Sequence, residues 1–596
     1  MNVTLLNNLV IPKLLFATLS IAVLAGCTGE QSSELATTAS CDGNVTPFQQ
    51  LSEGQNVVVS GVVQGIFHGE QQLGGFFIQG EDGAAFVADA GELASVAEGQ
   101  ELQVTGSVSS YYGGWQLSDL SNIANCGTSE IPKVSISLPL TGNESLDDLI
   151  HHRVQLSQDM LVIGHYQLAR FGTLDIATER LYTPTQVVQP GPDVPVRSAY
   201  NNARRLVLDD GSWVENPEHI PYPTGGLSMD NPVRSGDTVR NIEGILVRVG
   251  SNYHIHPVTT PEFIATNPRP EVPELPAGDV RIVAFNVLNY FNGDGQGAGF
   301  PTPRGAATAE EFARQRAKTI ATMIALDADI YALMEMENDG FDNNSALADL
   351  TRGLNAAVTG TPYSYISADA PGIGGDAITQ AIVYRSDRVT AEGTATWTSA
   401  GPFSWGSRPP LLQNFRINNS GKEIAVVANH FKSKGGCPRD RDDVNANQND
   451  GQACWNVLRT ETAQELANWL ADNPKELSHS NYVVLGDFNA YKMEDPLAVL
   501  EAAGYPNLAK HFDSEAASYV FRGEMGSLDH ILVHESIWDA VQGMAHWHIN
   551  ADEPVAFEYP LNGKTEWQQE HFYAPTPFRS SDHDPIIVVI DSAQLH

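Results

Sequence analysis

The chain is short of positive charge. It carries 34 Lys and Arg residues against 72 Asp and Glu residues, a formal net charge of −38 over 596 residues. A field of this sign favours solubility and opposes the binding of polyanions through overall charge. A phosphate-bearing ligand would therefore need local cations, either bound metal ions or a small cluster of Lys, Arg and His side chains.

After the N-terminus, no apolar run reaches the ~20 residues that a membrane-spanning helix needs. The run from Leu14 to Leu24 is too short for such a helix. Lys13 precedes it, and its last residue, Leu24, begins the sequence LAGC, which ends at Cys27. A short apolar segment followed by small residues is typical of a cleaved secretory signal, here residues 1–27. The ending resembles a bacterial lipoprotein box, in which Cys27 is lipidated; plain cleavage nearby with a spare thiol is the alternative. We expect an exported monomer that is either extracellular or anchored to the outer membrane, with the N-terminal lipid as its only membrane contact.

Cysteine is scarce, with five in the chain. With Cys27 set aside, an even number remains, which in an exported chain predicts disulfides. Cys41 and Cys126 bracket one candidate domain, and Cys437 and Cys454 bracket a polar loop. We predict these two pairings, because the other connectivities would cross domains. No CxxC spacing is present, so a zinc site is not expected.

The N-terminal half is predicted to be mainly β. Residues 28–44 are small and polar and predict a tether, and residues 45–135 contain short β segments separated by Gly-rich turns, typical of a small barrel or sandwich. Their order resembles an OB-like module. Such barrels bind oligonucleotides, and the aromatic side chains of Tyr111, Tyr112 and Trp115 would stack on bases. The alternative is a structural spacer in which they fill the barrel end.

Residues 146–265 predict a second mainly-β domain without a catalytic cluster. A Pro/Gly-rich excursion from Thr183 to Val196 interrupts it, and His254 and His256 are interpreted as ordinary strand residues. A Pro-rich linker follows at 266–279. In residues 280–591 continuous apolar strands alternate with helical stretches. This pattern predicts an α/β fold, a four-layer sandwich of two packed β-sheets flanked by helices.

Polar residues recur where these apolar strands end, which is where α/β folds place ligand sites. Asn286 ends the first strand and can hold a metal-bound water or a phosphate oxygen. Glu335 ends the next, and a carboxylate after apolar residues is costly unless it binds a metal or pairs. Glu337, two residues on, is the rival ligand. His430 follows a third strand beside Lys432 and Lys434, which suits a group that stabilises a transition state near a phosphate.

Three further segments add carboxylates and imidazoles. Asp487 and Asn489 are two apart at a strand end and are expected to project to the same side. Asp529 and the pair Asp582-His583 stand at the starts of apolar strands, and acid–His pairs suit a general base held by a carboxylate.

Taken in order, the six segments resemble those of the endonuclease/exonuclease/phosphatase superfamily, also described as deoxyribonuclease I-like. The closer likeness is to bacterial extracellular endonucleases with an N-terminal OB-like module. It is carried also by Asp376, by Tyr384 and Arg385, and by Arg408 in the letters RPPL. Thr379 stands where that branch commonly has a Lys, so one phosphate contact of the branch lacks its residue.

The resemblance implies a role for each residue. Glu335, Asn286 and Asp582 would bind Mg²⁺ or Mn²⁺, as one ion or two. His583 would act as general base or bind the scissile phosphate, and Asp529 would pair with a catalytic His or orient water. Asp487 and Asn489 would position the nucleophile and the phosphate. His430 would stabilise the pentavalent state or protonate the leaving oxygen. The residues that would contact substrate are Lys432, Asp376, Tyr384, Arg385 and Arg408.

The loop between Cys437 and Cys454 is rich in Asp and Asn, which are oxygen ligands of the kind Ca²⁺ prefers. Its spacing does not match an EF-hand, and a solvated loop tied by a disulfide is the alternative to a Ca²⁺ site. Over the whole chain we predict a metal-dependent endonuclease that cuts extracellular DNA, and RNA as a second substrate, without strong sequence specificity. The alternatives are a secreted phospholipid or other phosphodiesterase on the same scaffold and a catalytically dead surface-binding protein.

Overall fold

The computed structural model describes residues 41, 44–69, 71–89, 95–360, 363–513 and 515–595. The predicted signal segment, Cys27 and most of the predicted tether lie outside these residues. Both predicted disulfides, Cys41–Cys126 and Cys437–Cys454, are formed, which is typical of an oxidising compartment. Across these ranges, no helix combines the length and apolar character needed to cross a membrane.

Five strands near the N-terminus close into a barrel in the order β1-β2-β3-β5-β4. Alternate side chains of β1, Val57, Val59 and Val63 among them, are buried inside it, as the two-residue period of a strand requires. The unit is therefore a closed barrel rather than a sandwich, and its likeness to an OB-like module stays a prediction. The strands are β1 Asn56–Phe67, β2 Gly75–Gln79, β3 Ala84–Ala88, β4 Gln100–Tyr111 and β5 Gly114–Thr128.

A second β-unit follows, built on a nine-stranded sheet in the order β15-β12-β8-β9-β11-β14-β13-β7-β6. It begins at Val134, inside the range predicted for the first unit, because β6 pairs with β7. His254 Nδ1 lies 2.8 Å from the accepting Oδ2 of Asp209, a contact within this sheet. The elements are β6 Val134–Ile136, β7 Arg153–Leu156, β8 Met160–Gly164, α1 Leu168–Phe171, β9 Thr173–Ala177, β10 Leu181–Tyr182, α2 Pro184–Val187, α3 Asp193–Asn202, β11 Arg205–Asp209, β12 Thr238–Arg240, β13 Glu243–Val249, β14 Asn252–Pro257 and β15 Glu262–Ile264.

The C-terminal half contains two packed sheets, one six-stranded (β18-β19-β17-β16-β28-β27) and one five-stranded (β20-β21-β22-β23-β26). The strands are β16 Val280–Tyr290, β17 Ile330–Glu337, β18 Tyr363–Tyr365, β19 Ile378–Arg385, β20 Val389–Trp397, β21 Leu411–Ile417, β22 Glu423–His430, β23 Tyr482–Asp487, β24 Tyr519–Phe521, β25 Glu524–Gly526, β26 Asp529–Val533, β27 Val541–His546 and β28 Ile586–Ile590. The helices are α4 Ala309–Leu326, α5 Ala346–Ala357, α6 Asn456–Ala471, α7 Asp495–Ala502, α8 Ala509–Phe512 and α9 Glu566–His571.

The central strands are buried on both faces, which gives four layers. Ile282 of β16 and Val426 of β22 pack into one core between the sheets. Their neighbours point the other way: Val283 packs under α4 and α5, and Val427 packs under α6. The predicted four-layer α/β sandwich is confirmed.

The second β-unit and the sandwich share a buried ion pair. Arg234 and Glu553 are both fully buried and bonded through their side chains, and Arg269 adds a 2.8 Å contact to the same carboxylate. Arg234 also donates to the His548 carbonyl at 2.8 Å. The contacts fix the two units against each other.

Replacing Arg234 by Met is expected to lower the free energy of unfolding by about 3–5 kcal/mol, because it leaves a buried carboxylate with one partner fewer. Chemical denaturation followed by circular dichroism measures the change. Arg170→Met is the matched control: its ion pair with Glu215 is half exposed on both sides, so the expected loss is below about 1 kcal/mol. Equal losses in the two variants would contradict the assignment.

Candidate active site

Strand pairing brings the predicted residues to one end of the sandwich. In the first sheet β16 runs parallel to β17, and Asn286 is the register partner of Met334, the residue before Glu335, so Asn286 and Glu335 lie near the C-terminal ends of adjacent strands at the same edge. In the second sheet His430 of β22 is the register partner of Asp487 of β23, and Asp487 is in turn the partner of Asp529 of β26. Both sheets therefore present their polar ends at a common mouth.

Asp487 is the centre of this group. Its carboxylate is buried and accepts from the Asn489 backbone N–H at 2.8 Å and from the Asn489 and Asn286 amides at 3.1 and 3.4 Å. His430 Nε2 lies 3.4 Å from the same carboxylate. The Asn286 contact joins the first sheet to the second, so the expected convergence of Asn286, Asp487, Asn489 and His430 is present in the structure.

His583 and Asp529 form a buried pair. His583 Nδ1 lies 2.6 Å from Asp529 Oδ2, and the Ser518 hydroxyl donates to the same oxygen at 2.6 Å. Burial lowers the pKa of His583, but the Asp529 and Asp582 carboxylates beside it raise the pKa well above its ordinary value. The ring of Tyr519 packs over the imidazole with centroids 4.9 Å apart. The imidazole is thus fixed in orientation by a carboxylate, as an acid–base group requires.

Glu335, not Glu337, belongs to this group. Glu335 has φ of 66°, and the pairing register of β17 shifts between Leu333 and Met336, so side-chain alternation breaks there. Burial and then the Asp582 carboxylate raise the pKa of Glu335. For Glu337, burial and then Asp339 raise the pKa to about 7, and its carboxylate accepts from the Asn292 N–H at 3.1 Å. A non-Gly residue in the left-handed region is unusual and marks a local constraint.

The donor set at this mouth fits a divalent cation. Asp487, Asp529 and His583 each offer a ligand atom within 4.8 Å of the others, and they are the one such group among the described residues. Asp529 Oδ1 is buried without a hydrogen-bond partner. Burial raises the pKa of Asp487 to about 7, with a further contribution from the Asp529 charge. Clustered carboxylates of this kind are stabilised by a hard cation.

Cationic side chains stand next to the carboxylates. Arg408 is buried and donates to Asp376 at 3.0 Å and to the Phe431 carbonyl at 3.1 Å, and Arg304 reaches the other oxygen of Asp376 at 2.9 Å. Burial, and then the Arg408 charge, lower the pKa of His430 well below its ordinary value. This is the local positive charge that a chain of net charge −38 needs near a phosphate.

The two lysines that follow His430 differ in their contacts. Lys432 donates to the carbonyl oxygens of Ser433 and Gly435 at 3.2 and 3.3 Å, and burial lowers its pKa to about 8. Lys434 donates to Glu494 at 2.7 Å. Lys432 therefore remains beside Arg408 and Asp376, whereas Lys434 is held in an ion pair with the fully buried Glu494.

Tyr384 and Arg385 are not brought to the site, which corrects their expected role in substrate contact. Tyr384 pairs with Ile330, the first residue of β17, while Ile378 at the other end of β19 pairs with Glu337. From residue 378 to 384 the strand advances roughly 20 Å at ~3.3 Å per residue. Tyr384 packs on Phe415, and Arg385 pairs with Asp327.

In the loop between Cys437 and Cys454, several Asp and Asn side-chain oxygens accept hydrogen bonds from the backbone of the same loop. Asp440, Asp443, Asn447 and Asp450 each accept a backbone N–H two residues on, at 2.8 to 3.0 Å. Side-chain caps of this kind stabilise turns without a ligand. The proposal of a Ca²⁺ site gains no support from them.

Two contributors escaped the sequence analysis. Ser518 bonds to Asp529, and Arg304 bonds to Asp376. Neither residue ends an apolar strand, and Arg304 lies in a Gly/Pro-rich loop, so no periodic pattern marked them.

Comparison with known proteins assigns the fold. A family model described as the endonuclease/exonuclease/phosphatase family matches residues 283–583. The chain belongs to this family. Members of the endonuclease/exonuclease/phosphatase family include nucleases, phosphatases and phosphodiesterases, hydrolases of phosphate esters that generally use divalent metals. Among curated proteins, no sequence matches the chain.

Solved structures of the family superpose on about half of this chain. An endonuclease/exonuclease/phosphatase family protein from Bacteroides thetaiotaomicron is 16% identical, with a TM-score of 0.32, over 52% of this chain and 93% of its own. A mannosyl-6-phosphatase from the same organism is 15% identical, with a TM-score of 0.31, over 52% and 98%. TDP2 from D. rerio, complexed with a single-strand DNA product, is 15% identical, with a TM-score of 0.29, over 52% and 97%.

Proposed function

We propose that the chain is an exported, divalent-metal-dependent endonuclease that hydrolyses phosphodiester bonds of extracellular DNA, and of RNA as a second substrate, without strong sequence specificity. One observation carries the proposal: the His583–Asp529 pair lies within 4.8 Å of the buried Asp487 carboxylate. Arg304 and Arg408 stand beside this group. Such a site combines an oriented base, oxygen ligands for a cation and positive charge for a phosphate.

The residues divide the reaction between them. Asp529 holds His583 Nδ1. As general base, the neutral ring accepts the proton of the attacking water at Nε2; in the alternative mechanism the protonated ring, which the raised pKa favours, donates from Nε2 to the scissile phosphate. The water oxygen bonds to phosphorus as the bond to the leaving oxygen breaks, and the leaving oxygen takes up a proton. Asp487 and Asn489 position nucleophile and phosphate. His430 stabilises the pentavalent state by hydrogen bonding; its other proposed role, protonation of the leaving oxygen, needs the protonated ring, which its lowered pKa disfavours.

The metal is Mg²⁺ or Mn²⁺ in this proposal. Glu335 would be its principal ligand, helped by Asn286 and Asp582, and the carboxylates of Asp487 and Asp529 would lie beside them. When bound, such an ion supplies charge stabilisation on the phosphoryl oxygens and lowers the pKa of a bound water. Export and lipidation at Cys27, with an outer-membrane anchor as the only membrane contact, and the monomeric state complete the proposal. The two disulfides support an oxidising location.

The phospholipid alternative has one observation in its favour. Phe521, on the β24–β25 hairpin beside the site, is 54% exposed. The Arg522 guanidinium lies 5.2 Å from the centre of its ring, so the hairpin tip is not a continuous apolar patch. A catalytically dead binding protein is the weaker alternative, because Glu335, Asp487 and His583 are all present.

A substrate panel separates these functions. The purified chain is incubated in Mg²⁺ with supercoiled plasmid, single-stranded DNA, RNA, phosphatidylinositol vesicles and a sugar phosphomonoester. We expect nicking and linearisation of the plasmid and cleavage of the other nucleic acids, with no release of lipid head group or inorganic phosphate. The Asp529→Asn variant, prepared in parallel, controls for contaminating nucleases. Faster head-group or phosphate release than DNA cleavage would replace the endonuclease proposal.

A further inference from the structure

The excursion from Thr183 to Val196 leaves the second β-unit and reaches the active-site end of the sandwich. Strand β10, just before it, pairs in parallel with β25, so the catalytic hairpin β24–β25 and the second β-unit share a three-stranded sheet. Thr183 then donates its backbone N–H to the Met525 carbonyl at 2.9 Å. Helix α2 follows, and the side chains of Thr185 and Gln186 on it are fully buried.

Gln186 makes three hydrogen bonds to backbone of the sandwich. Its amide nitrogen donates to the Ala516 carbonyl at 2.8 Å, and its carbonyl oxygen accepts from Ser527 N at 3.2 Å and from Lys492 N at 3.3 Å. Ala516 and Ser527 bracket the β24–β25 hairpin. A single side chain from the second β-unit therefore ties together both ends of that hairpin.

The hairpin ends lead directly to the catalytic pair. Ser518, two residues after Ala516, donates to Asp529 at 2.6 Å and accepts from the Asp529 N–H at 3.2 Å. Ser527, two residues before Asp529, donates its hydroxyl to the Asp529 carbonyl at 2.6 Å. The backbone of Ser518 also accepts from the N–H of Asp584, next to His583, at 2.8 Å. Displacing either hairpin end would move Asp529 relative to His583.

We propose that Gln186 is a positioning residue for the Asp529–His583 pair, and that the second β-unit is thereby part of the active site. The role rests on the proposed phosphodiesterase function and acts through backbone: Gln186 touches neither reacting group. Misplacement of catalytic groups by about 1 Å costs on the order of 100-fold in rate. Loss of Gln186 should therefore lower kcat while substrate binding, which uses other residues, stays unchanged.

The test compares Gln186→Ala with Gln568→Ala in the full chain. Gln568 is also buried and also joins the two units, donating to the Pro217 carbonyl at 2.7 Å, but it lies on α9 away from the hairpin. Both variants are expected to lower Tm. Only Gln186→Ala should lower kcat for plasmid nicking, by roughly 10- to 100-fold, with KM changed less than about twofold. Gln186→Glu should not recover the loss, because its buried carboxylate would face the Ala516 carbonyl without a hydrogen to donate.

Equal kcat values for the two alanine variants, or a fall in kcat that only follows the fall in Tm, would overturn the positioning role. So would a pure KM effect. If the wild-type chain cuts no nucleic acid, the proposed function is contradicted. If the wild-type chain cuts nucleic acid and the Gln186→Ala variant is equally active, only the positioning role is contradicted.

A second, independent observation concerns two tryptophans beside Lys432. Trp405 is 63% exposed, and its ring meets that of Trp455 edge-on with centroids 5.5 Å apart. Trp455 is fixed by donating its indole N–H to the Gly435 and Gly436 carbonyls at 3.1 and 3.0 Å, and Lys432 Nζ lies 5.0 Å from its ring centre. An ammonium group over a half-buried ring, with an exposed ring against it, suits a ligand that joins a flat ring to a negative charge.

The segment that carries Trp405 is bonded to the catalytic segment. Ser407 accepts from Lys432 N at 3.1 Å, and the N–H of Arg408 donates to the His430 carbonyl at 3.1 Å. Trp405 is therefore held two residues from a segment that lines the site. We infer that Trp405 and Trp455 form a stacking subsite for one unpaired base of the nucleic-acid substrate proposed above.

The test measures binding of a labelled single-stranded oligonucleotide and of an all-abasic oligomer of equal length, by fluorescence anisotropy in EDTA. Trp405→Ala should raise Kd for the base-bearing strand about fivefold or more, leave the abasic strand unchanged and be largely rescued by Trp405→Phe. Trp213→Ala, a similarly exposed tryptophan of the second β-unit at 67%, should change neither. Equal effects of Trp405→Ala on both oligomers, or none on either, would overturn the subsite. A chain that binds bases but cuts nothing would contradict only the proposed function.

Discussion

Replacing His583 by Ala is expected to lower kcat for DNA cleavage by about 10²–10⁴-fold, the range for loss of a positioned acid–base group. His583 is the one imidazole held at 2.6 Å by the Asp529 carboxylate among the residues that line the mouth. Without it, neither proton transfer to Nε2 nor contact of that nitrogen with the phosphate is available. The measurement is the initial rate of plasmid nicking at saturating substrate and Mg²⁺.

The variant must remain folded for this result to count. Asp529 keeps its bond from Ser518, so we expect a near-native circular dichroism spectrum. His571→Ala is the matched control, because His571 is exposed on α9 and stacks on Trp567 with centroids 4.2 Å apart. It should change kcat less than about twofold. Wild-type rates from His583→Ala would remove His583 from the mechanism.

The second large effect is expected from Glu335→Gln, which keeps the shape of the side chain and removes its charge. Loss of the proposed principal metal ligand should lower the rate at fixed Mg²⁺ by about 10²–10³-fold, since a bound cation contributes several kcal/mol of transition-state stabilisation. A rise in Mg²⁺ or Mn²⁺ concentration should recover part of the rate. Mn²⁺ binding, followed by electron paramagnetic resonance, gives an independent measurement.

Glu337→Gln is the control two residues away. Its carboxylate bonds to Asn292 N and is coupled to Asp339 rather than to Asp582. We expect its rate to stay within about threefold of wild type. A greater loss in Glu337→Gln than in Glu335→Gln would exchange the two assignments and contradict the geometry described above.

Residue type and strand ends predicted most of the site. Asn286, Asp487 and Asp529 follow or begin apolar strands, and the edge of a sheet brings such positions together whatever the details of packing. The two disulfides were predicted because, with Cys27 set aside, an even number of cysteines remains and the other pairings would cross candidate domains. These inferences depend on local pattern and on order along the chain, which the sequence contains.

Local pattern leaves other features undecided, for physical reasons. At Glu335 a residue with positive φ breaks the two-residue alternation, so Glu337 could not be excluded from its spacing. Tyr384 and Arg385 end a strand that runs antiparallel to β17, which carries them to the far end of the sheet. Gln186 contributes through a tertiary contact 341 residues from Ser527, and no periodicity predicts a contact of that range.

The most direct test of whether the reaction depends on a cation at this site is cleavage of a supercoiled plasmid by the wild-type chain. The plasmid is incubated first in Mg²⁺ or Mn²⁺, then with EDTA in excess, and then with the metal restored. We expect nicking with either metal, its loss in EDTA and its return on adding the ion. Cutting that survives EDTA would contradict the role given to the metal, and no cutting with either ion would contradict the endonuclease itself.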